Sequence, residues 1–293
     1  MRHHRRLLLW GTMCTIILMT WPGILWAHAV AGMRVFPATM GFDDPGVANE
    51  APLLFNHIKA NGVDQDVLSF GVAKTLTKSF GVSLATDYQW LNQEGAPQQN
   101  GWDNLTVGAQ YQLFKNGPHE AIGMLALYDA IANTGSGGIG SDYSTYSPEF
   151  AWGKGLGDLP RAMAYLRPLA LTGAVADAIA SIPAVPNVLH WAFSLQYSIP
   201  YLQDFVKYVG IKAPFNNMVP IVEFPMQTCL NGGCGNQTTG YINPGVIWVG
   251  TYGQVGIEAQ IPINRATGRH VGVLAGVDLY WGDLFPRPGR PWF

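Results

Sequence analysis

The sequence predicts an all-β fold, specifically an antiparallel up-and-down transmembrane β-barrel of about 12 strands with short periplasmic helices. The first observation is strict two-residue alternation of apolar and polar side chains in two adjacent runs, 254–264 and 270–281. In the first run Val255 and Ile257 share one face, and Glu258 lies on the other. A period of two is typical of a β-strand with one apolar face.

The second observation is the length of these runs, about ten to twelve residues, which suffices to cross a bilayer at a tilt. The third is composition: 48% of the residues are hydrophobic and only 12% are charged. No apolar run beyond residue 29 approaches the ~18 residues of a membrane helix. A closed barrel satisfies its backbone within a membrane by pairing every strand with a neighbour. The alternative is a soluble secreted β-protein.

The first 29 residues predict a secretory signal peptide cut before Val30. A basic start, Met1-Arg2-His3-His4-Arg5-Arg6, precedes an apolar stretch at 7–25 and the small-residue site Ala27-His28-Ala29. An uncleaved membrane anchor is the less favoured alternative. Removal of Arg2, Arg5 and Arg6 leaves 14 basic against 19 acidic side chains, a net charge of −5. We therefore expect an exported chain in the bacterial outer membrane that binds no nucleic acid.

The mature chain divides into a segment without a clear period, 30–50, and a barrel domain, 51–293. The segment is either a periplasmic leader or a plug in the lumen. Strands are predicted at 53–60, 66–77, 81–91, 104–114, 119–132, 145–152, 167–178, 188–200, 217–228, 241–251, 254–264 and 270–281. Short helices are expected near 161–165 and within 201–214, on the periplasmic side, where outer-membrane barrels otherwise keep short turns.

Cys229 and Cys234 close a glycine-bearing loop, which predicts a local disulfide in an exported protein. A metal site is not expected, because no histidine lies nearby in sequence. The glycine-rich stretch 135–140 matches a nucleotide-binding spacing, but no βαβ unit surrounds it, so it reads as a loop. No cofactor is expected.

The polar faces of the strands gather acids and histidines that we expect to line the lumen. These residues are Asp87, Glu149, His190, Glu223, Glu258, His270 and Asp278. Such a lumen would favour cations, because carboxylates interact strongly in a narrow bore of low dielectric constant. The alternative is that the acids pair with inward Arg or Lys and close the lumen.

Aromatic side chains recur on the opposite, apolar faces of the predicted strands. They are Tyr88, Trp90, Trp152, Trp191, Tyr197, Trp248 and Trp281. Tyrosine and tryptophan form girdles at the two membrane interfaces of transmembrane barrels. Core packing in a soluble β-sandwich is the alternative.

The chain resembles a bacterial outer-membrane barrel ending in an aromatic residue, here Phe293. More loosely, it resembles the family named for a putative phenol-degradation meta-pathway, on the stretches 101–111 and 166–168 and the last hairpin. That resemblance implies a small passive transporter. Pro286, Pro288 and Pro291 depart from the pattern, because they prevent Phe293 from ending a regular strand.

The sequence thus predicts a non-enzymatic passive channel or transporter for a small solute, either apolar or aromatic, or cationic. The expected partners are that solute, outer-membrane lipid and the barrel-assembly machinery. A structural or adhesive barrel is one alternative. A membrane-embedded hydrolase built from His190 or His270 with a serine is another, because such sites need only spatial proximity.

Overall fold

The computed structural model describes residues 29–60 and 62–293. The predicted signal peptide therefore lies outside the described residues, apart from Ala29. The strands are β1 (Ala29–Ala31), β2 (Arg34–Phe36), β3 (Ala51–Ala60), β4 (Val63–Thr75), β5 (Phe80–Gln93), β6 (Gln99–Trp102), β7 (Thr106–Asn116), β8 (Ala121–Ala130), β9 (Thr145–Gly155), β10 (Leu169–Ala180), β11 (Val188–Tyr197), β12 (Met218–Cys229), β13 (Thr238–Val249), β14 (Gly253–Pro262) and β15 (Gly272–Leu279).

The strands from β3 onward form one closed antiparallel sheet. Apart from the short strand β6, each strand pairs with the next strand of the wall. β15 pairs with β3 and closes the barrel, with Ala275 opposite Phe55. β6 is too short to count as a separate wall strand. It pairs with the C-terminal part of β5, and β7 pairs with the N-terminal part of β5. The barrel thus has 12 strands, which confirms the predicted fold class and excludes the open sandwich of the soluble alternative.

Alternation along most strands separates an apolar exterior from a polar interior. Some buried inward positions are apolar, namely Ile122, Met124, Ile221 and Ile247. In β14, Val255 and Ile257 are exposed on the outside, whereas Gln254, Glu258 and Gln260 are buried inside. The same division holds in β15, where Val277 faces outward and Asp278 inward. Exposed apolar side chains therefore cover the outer surface, as expected for a wall that faces lipid.

The helices are short and lie in connections at one end of the barrel, the end that the predicted orientation makes periplasmic. A 3-10 helix at Arg161–Leu166 and helical turns at Ile199–Val206 match the two predicted helical segments. Within residues 29–60 and 62–293, no helix combines the length and the apolar character needed to span a membrane.

After β15 the chain leaves the sheet. Trp281 was expected in the last strand, but β15 ends at Leu279 and Trp281 begins a short helical turn, Trp281–Leu284. A second turn, Pro286–Gly289, follows. Phe293 lies outside any strand, as the prolines predict, and its N–H donates to Leu76 O at 3.0 Å.

The segment 29–50 runs through the inside of the barrel. It begins as the β1–β2 hairpin, where Phe36 packs with Ile122 of β8 and Ala170 of β10. It then crosses to the opposite wall, where Gln254 of β14 hydrogen-bonds both the N–H and the O of Ala38. It returns to β7, where Val47 N–H donates to Gln112 Oε1 at 3.2 Å. The segment therefore spans the bore twice before it enters β3.

Candidate functional site

A cavity of about 780 Å³ occupies the outer half of the lumen. Residues 40–43 of the crossing segment line it from below, and inward side chains of the strands form its walls. The polar side chains of the walls include Asn56, Gln65, Ser69, Asp87, Gln89, Asp103, Glu149, His190, Gln227 and Gln260. Leu54, Val67, Leu274 and several alanines supply apolar patches. This size and mixture are typical of a site for a small molecule.

The cavity carries carboxylates without cationic partners. Asp43, Asp87, Asp103 and Glu149 line it, and no Lys or Arg of the described residues does. The ion pairs of the described chain join other acids, such as Glu120 and the exposed Asp64 and Asp158. Among the described residues, the acids that line this cavity therefore do not pair with inward Arg or Lys, as the alternative prediction requires.

Neutral donors hold most of these carboxylates. Asp103 accepts hydrogen bonds from Gln89 Nε2 at 2.9 Å and from Asn104 N–H at 2.7 Å. Asp43 accepts a short hydrogen bond from the hydroxyl of Tyr128. Glu149 differs, because its Oε1 is buried without a partner among the described residues.

A carboxylate deeper in the bore, Glu223, fastens the crossing segment to the wall. Glu223 of β12 is fully buried and accepts hydrogen bonds from Met40 N–H at 3.0 Å and Gly41 N–H at 2.7 Å. Glu258 of β14 lies beside Glu223. A carboxylate is an acceptor only, so it suits the two backbone donors that this turn of the segment presents.

The start of the segment is fixed by Arg34, which is 1% exposed. Its Nε donates to Glu120 Oε2 at 3.1 Å, and its other nitrogens donate to Pro168 O at 2.9 Å and to Arg167 O. The guanidinium also stacks on the ring of Tyr201, 3.8 Å from the ring centroid. Arg34 thus ties the hairpin to three periplasmic connections.

Tyr201 and Glu120 complete this cluster. The Tyr201 hydroxyl donates to Glu120 Oε1 at 2.7 Å, and Gly157 N–H donates to Glu120 Oε2 at 3.0 Å. Burial, together with the hydrogen bond to Glu120, raises the pKa of Tyr201 to about 12. The phenol therefore stays a donor, and all of the charge in the cluster is shared between Arg34 and Glu120.

The acids of the crossing segment lie inside the bore, and Asp44 among them is 8% exposed. Burial raises the pKa of Asp44 to about 7, against the hydrogen bond from Gly46 N–H, which lowers it. Burial also raises the pKa of Asp43, and it raises that of Glu50 well above its ordinary value. Charge on this segment is therefore costly at neutral pH.

The predicted lumen residues fall into three places. Asp87, Glu149 and His190 line the cavity. Glu223, Glu258 and Asp278 face inward at the level of the crossing segment, where Glu223 holds Met40 and Asp278 lies near Asp44. His270 was expected on a strand but lies exposed in the loop before β15, because that strand begins only at Gly272.

The predicted aromatics lie near the two ends of the barrel. Tyr88 and Trp90 pack against each other near the outer end of β5, with ring centroids 4.6 Å apart. Trp191 on β11 donates a hydrogen bond from Nε1 to Thr228 Oγ1 on β12. Trp152, Tyr197 and Trp248 lie in the periplasmic halves of their strands. Trp281, beyond its strand, donates from Nε1 to Ala73 O at 3.0 Å.

The remaining candidate residues are placed as follows. Cys229 and Cys234 are joined as a disulfide, with Cα atoms 6.0 Å apart. In the described part of the chain, no three His, Cys, Asp or Glu side chains are grouped so as to hold a metal ion. His190 and His270 are in different places, one in the cavity and one in a loop, and no hydrogen bond among the described residues joins either to a serine.

Sequence reasoning missed the residues that hold the crossing segment. Arg34 and Asp43 belong to a stretch without periodicity, so nothing in the sequence marks them. Gln112 and Gln254 do carry a signal, because they are amides at inward positions of alternating strands. Tyr201 lies in a predicted helix, where its contact with Arg34 depends wholly on the fold.

The chain is similar in fold to solved structures of outer-membrane proteins. An outer-membrane channel from Pseudomonas putida F1 is 13% identical with a TM-score of 0.53, over 84% of this chain and 99% of that chain. The NanC porin is 8% identical with a TM-score of 0.46, over 80% and 98% of the two chains. The KdgM porin is 12% identical with a TM-score of 0.44, over 78% and 98%.

No protein-family model matches the sequence, and no curated protein matches it. The fold itself is a closed, 12-stranded antiparallel β-barrel, similar to that of the outer-membrane channel. The narrower resemblance to the phenol-degradation family stays a prediction.

Proposed function

We propose that this protein is a passive outer-membrane channel for a small solute, with the segment 29–50 as a displaceable plug. The observation that carries the proposal is the polar cavity in the lumen of a closed barrel, above a segment that is not part of the wall. A channel needs a polar path, and the inward faces of the strands supply polar side chains along the outer half of the lumen. The segment is the element that interrupts this path.

The attachment of the segment supports displacement rather than permanent closure. Arg34, Gln112, Glu223 and Gln254 hold it by side-chain hydrogen bonds, and its pairing as a sheet is confined to its own hairpin. Phe36 and Val47 add apolar packing against the wall. Those contacts can break and re-form without any loss of wall hydrogen bonds. Outer-membrane lipid and the barrel-assembly machinery are the partners that follow from this role, because the exposed apolar exterior requires a membrane.

A reversible crosslink tests the plug directly. A β-carbon built on Gly81 of β5 lies 2.7 Å from Val47 Cγ1, so cysteines at 47 and 81 would have β-carbons within about 4.2 Å, a suitable separation for a disulfide. The variant Val47→Cys/Gly81→Cys should conduct little in planar bilayers when oxidised. Reduction should restore conductance to the level of the unmodified protein.

Two controls give this experiment its meaning. The unmodified protein receives the same reductant, because Cys229–Cys234 is also reducible. A chain lacking 30–50 should conduct without regard to redox state. Conductance that is equal in the oxidised and reduced double variant would refute the plug, and absence of conductance in every form would favour a structural or adhesive barrel.

A further inference from the structure

The cavity in the outer lumen has acceptors that no protein group satisfies. Glu149 Oε1 on β9, Asn56 Oδ1 on β3 and Gln260 Oε1 on β14 are all buried without a hydrogen-bond partner among the described residues. Gln260 is only 5% exposed, yet its side chain belongs to the cavity wall. Buried polar atoms are normally paired, so unpaired ones in a cavity wall indicate what the cavity is built to receive.

All three atoms accept hydrogen bonds, and none donates one. A carboxylate offers acceptors only, and the amide oxygens of Asn and Gln do the same on that side of the group. A ligand that satisfies them must therefore present donors. An ammonium group has donors and no acceptor, which suits an unpaired acceptor such as Glu149 Oε1, whereas a carboxylate or phosphate would add acceptors to a wall already rich in them.

The charges of the wall point to the same chemistry independently. Asp43, Asp87, Asp103 and Glu149 line the cavity and form no ion pair with Lys or Arg in the described chain. Charges that share a confined space of low dielectric constant repel one another strongly, and a bound cation relieves that repulsion. The histidine of the wall, His190, is the one side chain there that can become positive, among those described.

The rest of the wall sets the size and the second half of the ligand. Phe42, Leu54, Val67 and Leu274 give apolar surface, and Tyr128 and Tyr241 add aromatic rings. A volume of about 780 Å³ exceeds the need of a bare metal ion. Aromatic rings also attract cations across their faces. The site thus suits a molecule with an ammonium group and an apolar body.

We infer that this cavity binds small organic ammonium ions, and that such ions are the solute class of the channel. That these ions are the transported solute rests on the proposed function, whereas their binding in the cavity does not. Glu149 on β9 is the principal counter-charge for the ammonium group. Gln260 and Asn56 lie on β14 and β3, five strands away across the barrel, and offer acceptors on the opposite wall of the cavity.

Three probes of equal size and different charge test the inference: benzylammonium, benzyl alcohol and benzoate. Binding is measured by ligand-observed NMR on the full mature chain in nanodiscs, with empty nanodiscs subtracting partition into lipid. A charge-assisted hydrogen bond is worth roughly a factor of 10 in affinity. We therefore expect benzylammonium to bind about 10-fold or more tightly than either other probe.

The variants separate the site from general charge. Glu149→Gln should weaken benzylammonium about 10-fold and leave benzyl alcohol unchanged. Asp87→Asn, a second wall carboxylate, should weaken it in the same direction. Asp177→Asn is the matched control, because Asp177 lies on the outward face of β10 and its loss should change nothing. Equal binding of the three probes, or equal effects of Glu149→Gln and Asp177→Asn, would overturn the inference.

Current recordings on the same proteins keep the two proposals apart. Selective binding without conductance would support the ammonium site and refute the channel. Conductance without any preference for benzylammonium would support the channel and refute the site.

Discussion

Loss of Arg34 should release the plug. In the folded protein its guanidinium is 1% exposed, faces Glu120 at 3.1 Å and donates to two backbone carbonyls. Arg34→Met fills a similar volume but removes the charge and every one of these donors. Glu120, whose side chain is 6% exposed, is then left buried without a counter-charge.

The size of the effect follows from these contacts. Breaking a buried ion pair by removing one partner costs about 3–5 kcal/mol. Glu120 keeps the Tyr201 hydroxyl and Gly157 N–H as donors, so the lower end of this range applies. A cost of about 3 kcal/mol raises the population of the detached segment about 100-fold. The double variant Arg34→Met/Glu120→Met should open less than the sum of the two single variants, because no orphan charge remains.

Cysteine labelling measures that population. A cysteine at Val47, which is 6% exposed, reacts with a water-soluble maleimide only when the segment leaves the bore. We expect Arg34→Met to accelerate labelling about 100-fold. Lys154→Met is the control: Lys154 pairs with Asp158 at the surface, and such pairs contribute at most about 1 kcal/mol, or less than about 5-fold. If Arg34→Met labels no faster than Lys154→Met, Arg34 does not hold the plug.

Three further predictions address pH, the membrane and the wall. Asp44 has a folded pKa of about 7, which is above its unfolded value. The stability that it contributes at low pH is therefore lost as the pH rises towards and through 7. The charged groups around it are Asp43, Glu50, Asp278 and Lys115. Labelling of a cysteine at Val47 should accelerate over that range, relative to an exposed cysteine at Val271, and Asp44→Asn should flatten the profile. Ile257→Lys, on the exposed outer face of β14, should cost about 2–4 kcal/mol of unfolding free energy in bilayers, whereas Val271→Lys in a loop should cost little. Equal losses in urea titrations would argue against a lipid-facing wall. Glu223→Ala should leave the N–H groups of Met40 and Gly41 without an acceptor, at a cost of about 1–3 kcal/mol each. The current through the open channel should increase, and the preference among the three probes should not change. An unchanged current would mean that Glu223 does not anchor the segment.

The wall of this barrel was predictable from sequence because its signal is local. Most strands repeat apolar and polar residues with a period of two, and a membrane wall needs little more to define inside and outside. The predicted run 145–152 became β9 at Thr145–Gly155, and 188–200 became β11 at Val188–Tyr197. Errors fall at strand ends, where the alternating pattern extends one or two residues beyond the paired strand. His270 lies before the start of β15, and Trp281 lies after its end.

The contents of the lumen were not predictable, because they depend on contacts between distant residues. Arg34 meets Glu120 across 86 positions, and Ala38 meets Gln254 across 216. No periodicity links such partners. The segment 29–50 has no repeat of its own because its backbone groups are satisfied largely by side chains of the wall, and a chain held in that way can follow any irregular path.

Alternation therefore assigns a polar residue to the inside without saying what it does there. Inward polar residues at the level of the segment, such as Gln112, Glu223 and Gln254, are satisfied by backbone groups of the chain itself. Inward residues nearer the outside, such as Glu149 and Gln260, have acceptors that remain unsatisfied. The first set closes the bore by accepting peptide N–H groups, and the second set requires donors from outside the protein. A ligand rich in N–H donors that moved deeper would compete with the peptide N–H groups of Met40 and Gly41 for Glu223.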